Sequence, residues 1–176
     1  MRWPMISQKN LLIFQTVFLT LSIEHLLFGV CFGADDNRLF NDGLCGPRCL
    51  KFILDFYGDN AIGIAEIAKD ITDNASAGGG GASFTDMEKF CLKHGIYTRF
   101  VAGSRSDLIE WPHPVIAHLK GPNYPSGHFC VLLPAAYDGR AHLWYPEKPG
   151  TISVEELSSF SKTFSGHALL TSKQAI

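Results

Sequence analysis

Two side chains in this sequence are of a type and setting to make a nucleophile and its proton carrier: Cys45, in Leu44-Cys45-Gly46-Pro47-Arg48-Cys49-Leu50, and His128, in Gly127-His128-Phe129. Asp42 and Gly43 supply turn chemistry before Cys45, and from Cys49 to Phe56 the apolar residues recur at roughly helical spacing. Cys45 therefore sits at a helix start, with Pro47 tolerated in the first turn. Unpaired N–H groups and the positive end of the helix dipole favour thiolate over thiol there, which lowers the pKa and populates the nucleophile at neutral pH. A thiolate also needs a base to form it and to protonate the leaving amine, the role that suits His128. Each residue alone has an ordinary reading: a cysteine as a small buried apolar side chain, a histidine as a hydrogen-bonded structural one. Their separation along the chain does not bear on pairing, because such partners meet in space.

The elements that would position them follow in order. A helix beginning at Cys45 stops at Tyr57-Gly58-Asp59-Asn60, and a second is predicted over Ile64 to Ile71, where Ile64, Ile67, Ala68 and Ile71 share a face. Asn74 to Ala82 reads as a Gly-rich surface loop; no Gly-Lys-Ser/Thr follows the four glycines, so no nucleotide is expected. Ser83, Thr85 and Asp86 can cap a third helix ending at His94-Gly95, and Ile96 to Val101 alternates as a strand. A short helix is expected over Ser106 to Trp111. Strands are expected at Val115 to Leu119, Phe129 to Leu133 and Ala141 to Tyr145, the last two joined by a turn at Asp138-Gly139. His128 would stand at a strand start, delivered by the loop Pro122 to Gly127. Helices followed by an antiparallel sheet make an α+β domain with segregated layers.

Composition describes an ordinary globular domain: 176 residues, 46% hydrophobic and 18% charged. A net charge of −2 shows no bias toward nucleic acid or anionic membrane. No Cys-x-x-Cys pair occurs among the five cysteines, so neither a zinc ribbon nor a thioredoxin-like site is supported, and no metal or cofactor is expected. Cys45 and Cys49, four apart on one helix face, are poorly placed for a disulfide.

Residues 1–34 read as a signal peptide or a membrane anchor: Arg2 and Lys9 precede an uncharged run from Leu11 to Ile23, and Glu24-His25 interrupts it before Leu26 to Phe32. Taken whole, residues 11–32 reach the ~20 residues a bilayer span requires, so membrane contact through them is an alternative to cleavage near Gly33 or Ala34. Residues 35–43 form a polar linker and residues 44–176 the domain. The expected location is exported, periplasmic or extracellular, or anchored in the cytoplasmic membrane.

From about Asp42 to Leu170 the chain resembles the bacteriocin-processing cysteine peptidases of family C39, papain-like domains that cut leader peptides after a double glycine. The resemblance is carried by the Cys45-Gly46-x-x-Cys49-Leu50 opening, Tyr57-Gly58 and the Gly-rich loop with Ser83. It continues through Pro114 to Gly121, Gly127-His128-Phe129-x-Val131-Leu132, and Pro146, Gly150, Ser153, Glu155, Glu156, Leu157 and Phe164 to Gly166. It implies a papain-like fold, Cys45 as nucleophile, His128 as general base and acid, and Cys49 on the helix behind the site. Two positions depart from the family pattern. Where an Asp-Pro usually orients the histidine this chain has Tyr145-Pro146, leaving Tyr145, Glu147 or Asp138 as candidates. A phenol can accept from imidazole but carries no charge at pH 7. Leu39 stands where the family has its oxyanion glutamine, with Asn41 and Asn37 the nearest amides.

The expected activity is cleavage of a peptide or protein substrate through a Cys45 thioester. The alternatives are a catalytically impaired peptide-binding module lacking the orienting Asp and oxyanion Gln, and a transglutaminase-like acyl transferase using the same Cys/His pair.

Overall fold

A computed structural model of the chain describes residues 43–72, 82–103, 108, 110–134 and 139–176. The leader, Asn37, Leu39, Asn41, Asp138, most of the Gly-rich loop, and Ser106, Asp107 and Ile109 of the expected helix at Ser106 to Trp111 lie outside the described residues. Among the described residues no helix is long and apolar enough to cross a membrane.

The described chain runs α1 (Cys45–Phe56), α2 (Ile64–Thr72), α3 (Phe84–Lys93), β1 (Tyr97–Ala102), β2 (Val115–Gly121), β3 (Tyr124–Leu132), β4 (Arg140–Trp144), β5 (Ile152–Glu156), α4 (Leu157–Thr163) and β6 (Phe164–Ser172). The strands form one sheet in the order β1-β6-β2-β3-β4-β5, with antiparallel pairings throughout. This is the α+β, papain-like architecture of N-terminal helices on an antiparallel sheet. The sequence reading missed β5, α4 and β6. The inner half of β6, Ala168 to Ser172, is buried at every residue between β1 and β2. A short, continuously buried run has no alternation to reveal it as a strand.

Two apolar layers sandwich the sheet. On one, α1 buries Cys49, Leu50, Ile53 and Leu54 with Ile67 and Ile71 of α2, Met87 and Phe90 of α3, and Ile116, Phe129, Val131 and Leu169 of the sheet. On the other, Phe160 of α4 packs with Ala117, Leu119, Cys130, Leu143 and Leu170. Full burial of each large side chain contributes about 1.5–3 kcal/mol, so α1 is held by its tertiary face, not by helix propensity. Ser83 caps α3 by accepting from the Asp86 N–H at 3.1 Å, whereas α1 begins at Leu44 with no side-chain cap. Its first N–H groups are therefore left for another acceptor. Gly46 is required on steric grounds, because a Cβ there would lie 2.6 Å from the Ala82 Cβ and 2.8 Å from the Met87 Cε.

The β2–β3 hairpin corrects one expectation. His128 does not start the strand after an irregular loop: β3 already pairs with β2 from Tyr124, and His128 lies within it. Between the pairs Leu119↔His128 and Gly121↔Tyr124, two steps along β2 are matched by four along β3, which is a bulge. Gly127 makes the bulge with φ +83°, and a Cβ there would collide with His118 Nε2. Gly127→Ala is therefore expected to destabilise the domain by about 1–2 kcal/mol from the left-handed backbone alone. Displacement of His118 adds to that, and a lowered urea midpoint with unchanged m-value measures the sum.

Candidate active site

The open end of α1 and the bulged stretch of β3 meet. Cys45, partly exposed, is hydrogen-bonded to His128 and to the backbone N–H groups of Phe129 and Gly46. His128 is 6% exposed, and its Nε2 donates to Glu147 Oε2 at 3.1 Å. With Nε2 committed to the carboxylate, Nδ1 is the nitrogen left for the sulfur. The Glu147 side chain is itself only 8% exposed, in the turn after β4.

The electrostatics follow from these contacts. Burial pushes the Cys45 thiol up, but the bond to His128, the Phe129 N–H, the His128 charge and the Gly46 N–H outweigh it, and the pKa is lowered. Burial likewise disfavours imidazolium, yet the bonds and charges of Cys45 and Glu147 raise His128 to about 9. Burial raises Glu147, and the His128 partner more than reverses it. Each shift favours the charged form of its group: the Cys45 proton is lost more readily, the His128 proton is held more firmly and the Glu147 carboxylate is stabilised. The remaining described cysteines have the opposite setting: Cys49 and Cys130 are fully buried and Cys91 is 1% exposed, with burial the leading cause that raises each thiol.

The other positions singled out from the sequence fall as follows. Tyr145, at the end of β4, turns its hydroxyl away from His128 and donates to Glu155 Oε1 of β5 at 2.9 Å. Glu147 is the carboxylate that meets the imidazole. Asn37, Asn41 and Asp138 lie outside the described residues. Tyr124, which sequence reasoning passed over, stacks on His128 with ring centroids 5.1 Å apart and planes 7° apart. Residues four apart on a regular strand are separated by about 13 Å, so only the bulge, invisible to periodicity, lets the rings meet.

Beside the site an aromatic strip leads away from Phe129. Phe84 contacts Phe129 and Phe100 at 5.2 Å each, and Phe100 stacks on His167 at 5.8 Å while remaining 43% exposed. A cavity of about 370 Å³ lies elsewhere, between Arg99, Val101, Trp111, Phe164 and Leu170. It shares no wall with Cys45, His128 or Glu147. Among the described residues no group of three or more His, Cys, Asp or Glu could hold a metal ion.

The sequence matches the model of the peptidase C39 family over residues 41–176. Among curated proteins, none matches it. Solved structures with the same fold include the peptidase domain of Streptococcus ComA, a bifunctional ABC transporter involved in a quorum-sensing pathway. It is 20% identical with a TM-score of 0.61, the match covering 75% of this chain and 93% of that one. A double-glycine-motif protease from an AMS/PCAT transporter, in complex with its leader peptide, is 19% identical at a TM-score of 0.58, covering 72% and 82%. The N-terminal peptidase C39-like domain of a toxin secretion ATP-binding protein from Vibrio parahaemolyticus is 18% identical at 0.57, covering 76% and 98%.

Proposed function

The chain belongs to the peptidase C39 family, and from that premise we propose that it is an active cysteine peptidase cutting a peptide after a double glycine, with Cys45, His128 and Glu147 as its reacting chain. The observation that carries this reading is the continuous hydrogen-bonded line from the sulfur through the imidazole to a buried carboxylate. The Cys45 thiolate attacks the scissile carbonyl carbon, forming C–S as the carbonyl electrons move onto oxygen. Collapse of that tetrahedral species breaks C–N, and the amine leaves with the proton from His128. Water then attacks the thioester, His128 takes its proton, and C–S breaks to release the acid and restore the thiolate–imidazolium pair.

The oxyanion needs donors where the negative charge develops. The Cys45 N–H, which has no intrahelical partner at the start of α1, is one. Asn41 or Asn37 supplies the side-chain amide in place of the family's glutamine. The apolar run of the N-terminal sequence supports an exported or membrane-anchored protein, through residues 1–34 in the first case and 11–32 in the second.

The partner is a peptide whose apolar face lies along Phe84 and Phe100. Phe100, 43% exposed at the β1 edge of the sheet, continues through half-buried Phe84 to buried Phe129 next to His128, and an exposed aromatic side chain joined to the site in this way suits an apolar peptide face. The neighbour solved with a bound leader peptide supports a substrate of that class.

The test is incubation of the purified domain with a synthetic leader peptide carrying Gly-Gly, read by mass spectrometry. Cleavage after the second glycine is expected. Intact peptide that nonetheless binds makes the protein a peptide-binding module instead. Transfer of the acyl group to an added amine in preference to water makes it an acyl transferase. On the inactive Cys45→Ala background, Phe100→Ala is expected to weaken peptide binding about 5- to 30-fold, the effect of losing one buried aromatic contact of 1–2 kcal/mol. Equal binding by calorimetry removes the strip from the substrate site.

A further inference from the structure

We propose that Tyr124 is a positioning residue for His128, holding the ring by its face while Glu147 holds it by Nε2; this rests on the peptidase reading above. The phenol and imidazole planes are 7° apart with centroids at 5.1 Å. A hydrogen bond at one nitrogen leaves the ring free to swing about that bond, and a flat neighbour removes the swing. The same face, rich in π electrons, favours imidazolium over imidazole.

Tyr124 is itself anchored. Its hydroxyl is bonded to that of Tyr145, and Tyr145 spends its single proton on Glu155 at 2.9 Å. Tyr145 thereby ties the Tyr124 ring to Glu155 of β5. Burial first, then Cys130 and Glu155, push the Tyr145 phenol up, so the chain stays protonated through the working range. The tyrosine standing where the family pattern has its aspartate thus reaches His128 through a second ring. The bulge at Gly127 brings this arrangement about by folding Tyr124 back over a residue four places on.

The groups facing His128 are Cys45 of α1, Glu147 of the turn after β4, Tyr124 of β3 and, at longer range, His118 of β2. Only Tyr124 among them can be altered without touching a charge. Two pH profiles are measured for wild type, Tyr124→Leu and Tyr124→Phe: the rate of Cys45 alkylation by iodoacetamide, and kcat on the leader peptide. In Tyr124→Leu the acid limb of alkylation moves up, and the alkaline limb of kcat moves down by as much as about one pH unit, a tenfold loss of proton affinity at His128. Tyr124→Phe, which keeps the ring, restores both limbs most of the way. Limbs that stay in place in Tyr124→Leu, with a normal wild type, overturn the positioning role alone. A wild-type Cys45 that alkylates no faster than Cys49 or Cys130 overturns the Cys/His reading and the role together. If Tyr124→Leu does not fold, NMR of the wild type decides: His128 ring protons shifted upfield with a cross-peak to the Tyr124 ring support the stack, and their absence overturns it.

Discussion

Cys45→Ala abolishes cleavage, lowering kcat by about 10⁵- to 10⁶-fold, the scale on which loss of a nucleophile removes the whole covalent route. The same sulfur is singled out without any substrate. At neutral pH, iodoacetamide labels Cys45 at least about a hundredfold faster than Cys49, Cys91 or Cys130, because alkylation requires an accessible thiolate. The three slow thiols are buried to within 1% of full exclusion, and burial raises their pKa values, Cys91 to about 12. Cys45 is partly exposed and its pKa is lowered. Site-resolved mass spectrometry of the native and urea-unfolded protein checks this: the selectivity appears only in the folded state. Equal labelling in the folded protein contradicts the mechanism. The pH dependence separates the two titrations. Alkylation rises through the lowered Cys45 pKa and does not fall again, whereas cleavage falls as His128 loses its proton near pH 9. Only the second needs a proton for the leaving amine.

Much of this arrangement was legible in the sequence where local chemistry determined it. The helix at Cys45, the second helix, the Ser83 cap and the core of β2 all follow from spacing and capping, because apolar side chains at helical or alternating intervals have one way to be buried. The site was legible only as a pairing of types. Nothing local in Gly127-His128-Phe129 announces a bulge, since that is set by the match of β3 to β2, and hence nothing announces Tyr124 as the neighbour of His128. The third member was underdetermined for a related reason. Tyr145 and Glu147 sit two residues apart, and choosing between them requires knowing where the chain turns after β4. Tyr145 packs with the second apolar layer and finds Glu155 opposite its strand. Glu147, past Pro146 in the turn, has the longer reach back to β3.

Glu147→Gln is the substitution that tests this division of labour most sharply. Glutamine matches the carboxylate in shape and can still accept from Nε2, so the imidazole keeps a partner and the fold is expected to hold. What is lost is a charge 3.1 Å from a side chain that is 7% exposed. With solvent largely excluded, that charge is weakly screened and offsets the burial that works against imidazolium. Its removal withdraws one of the two partners that offset burial and leaves Cys45 as the other, so the His128 pKa falls below about 9. Cys45 in turn loses the cation that lowers it, and its pKa rises. The alkaline limb of cleavage moves down and the acid limb moves up. The pH range in which thiolate and imidazolium coexist narrows from both sides. The expected loss in kcat near neutrality is about 10²- to 10⁴-fold, the upper figure being that for loss of the orienting carboxylate in a serine triad. Alkylation of Cys45 slows at neutral pH but recovers at high pH, where the thiolate no longer needs its partner. Tyr145→Phe provides the contrast: it removes no charge from the imidazole, and its limbs move far less than those of Glu147→Gln. If the two variants instead exchange these behaviours, the carboxylate has been assigned to the wrong residue.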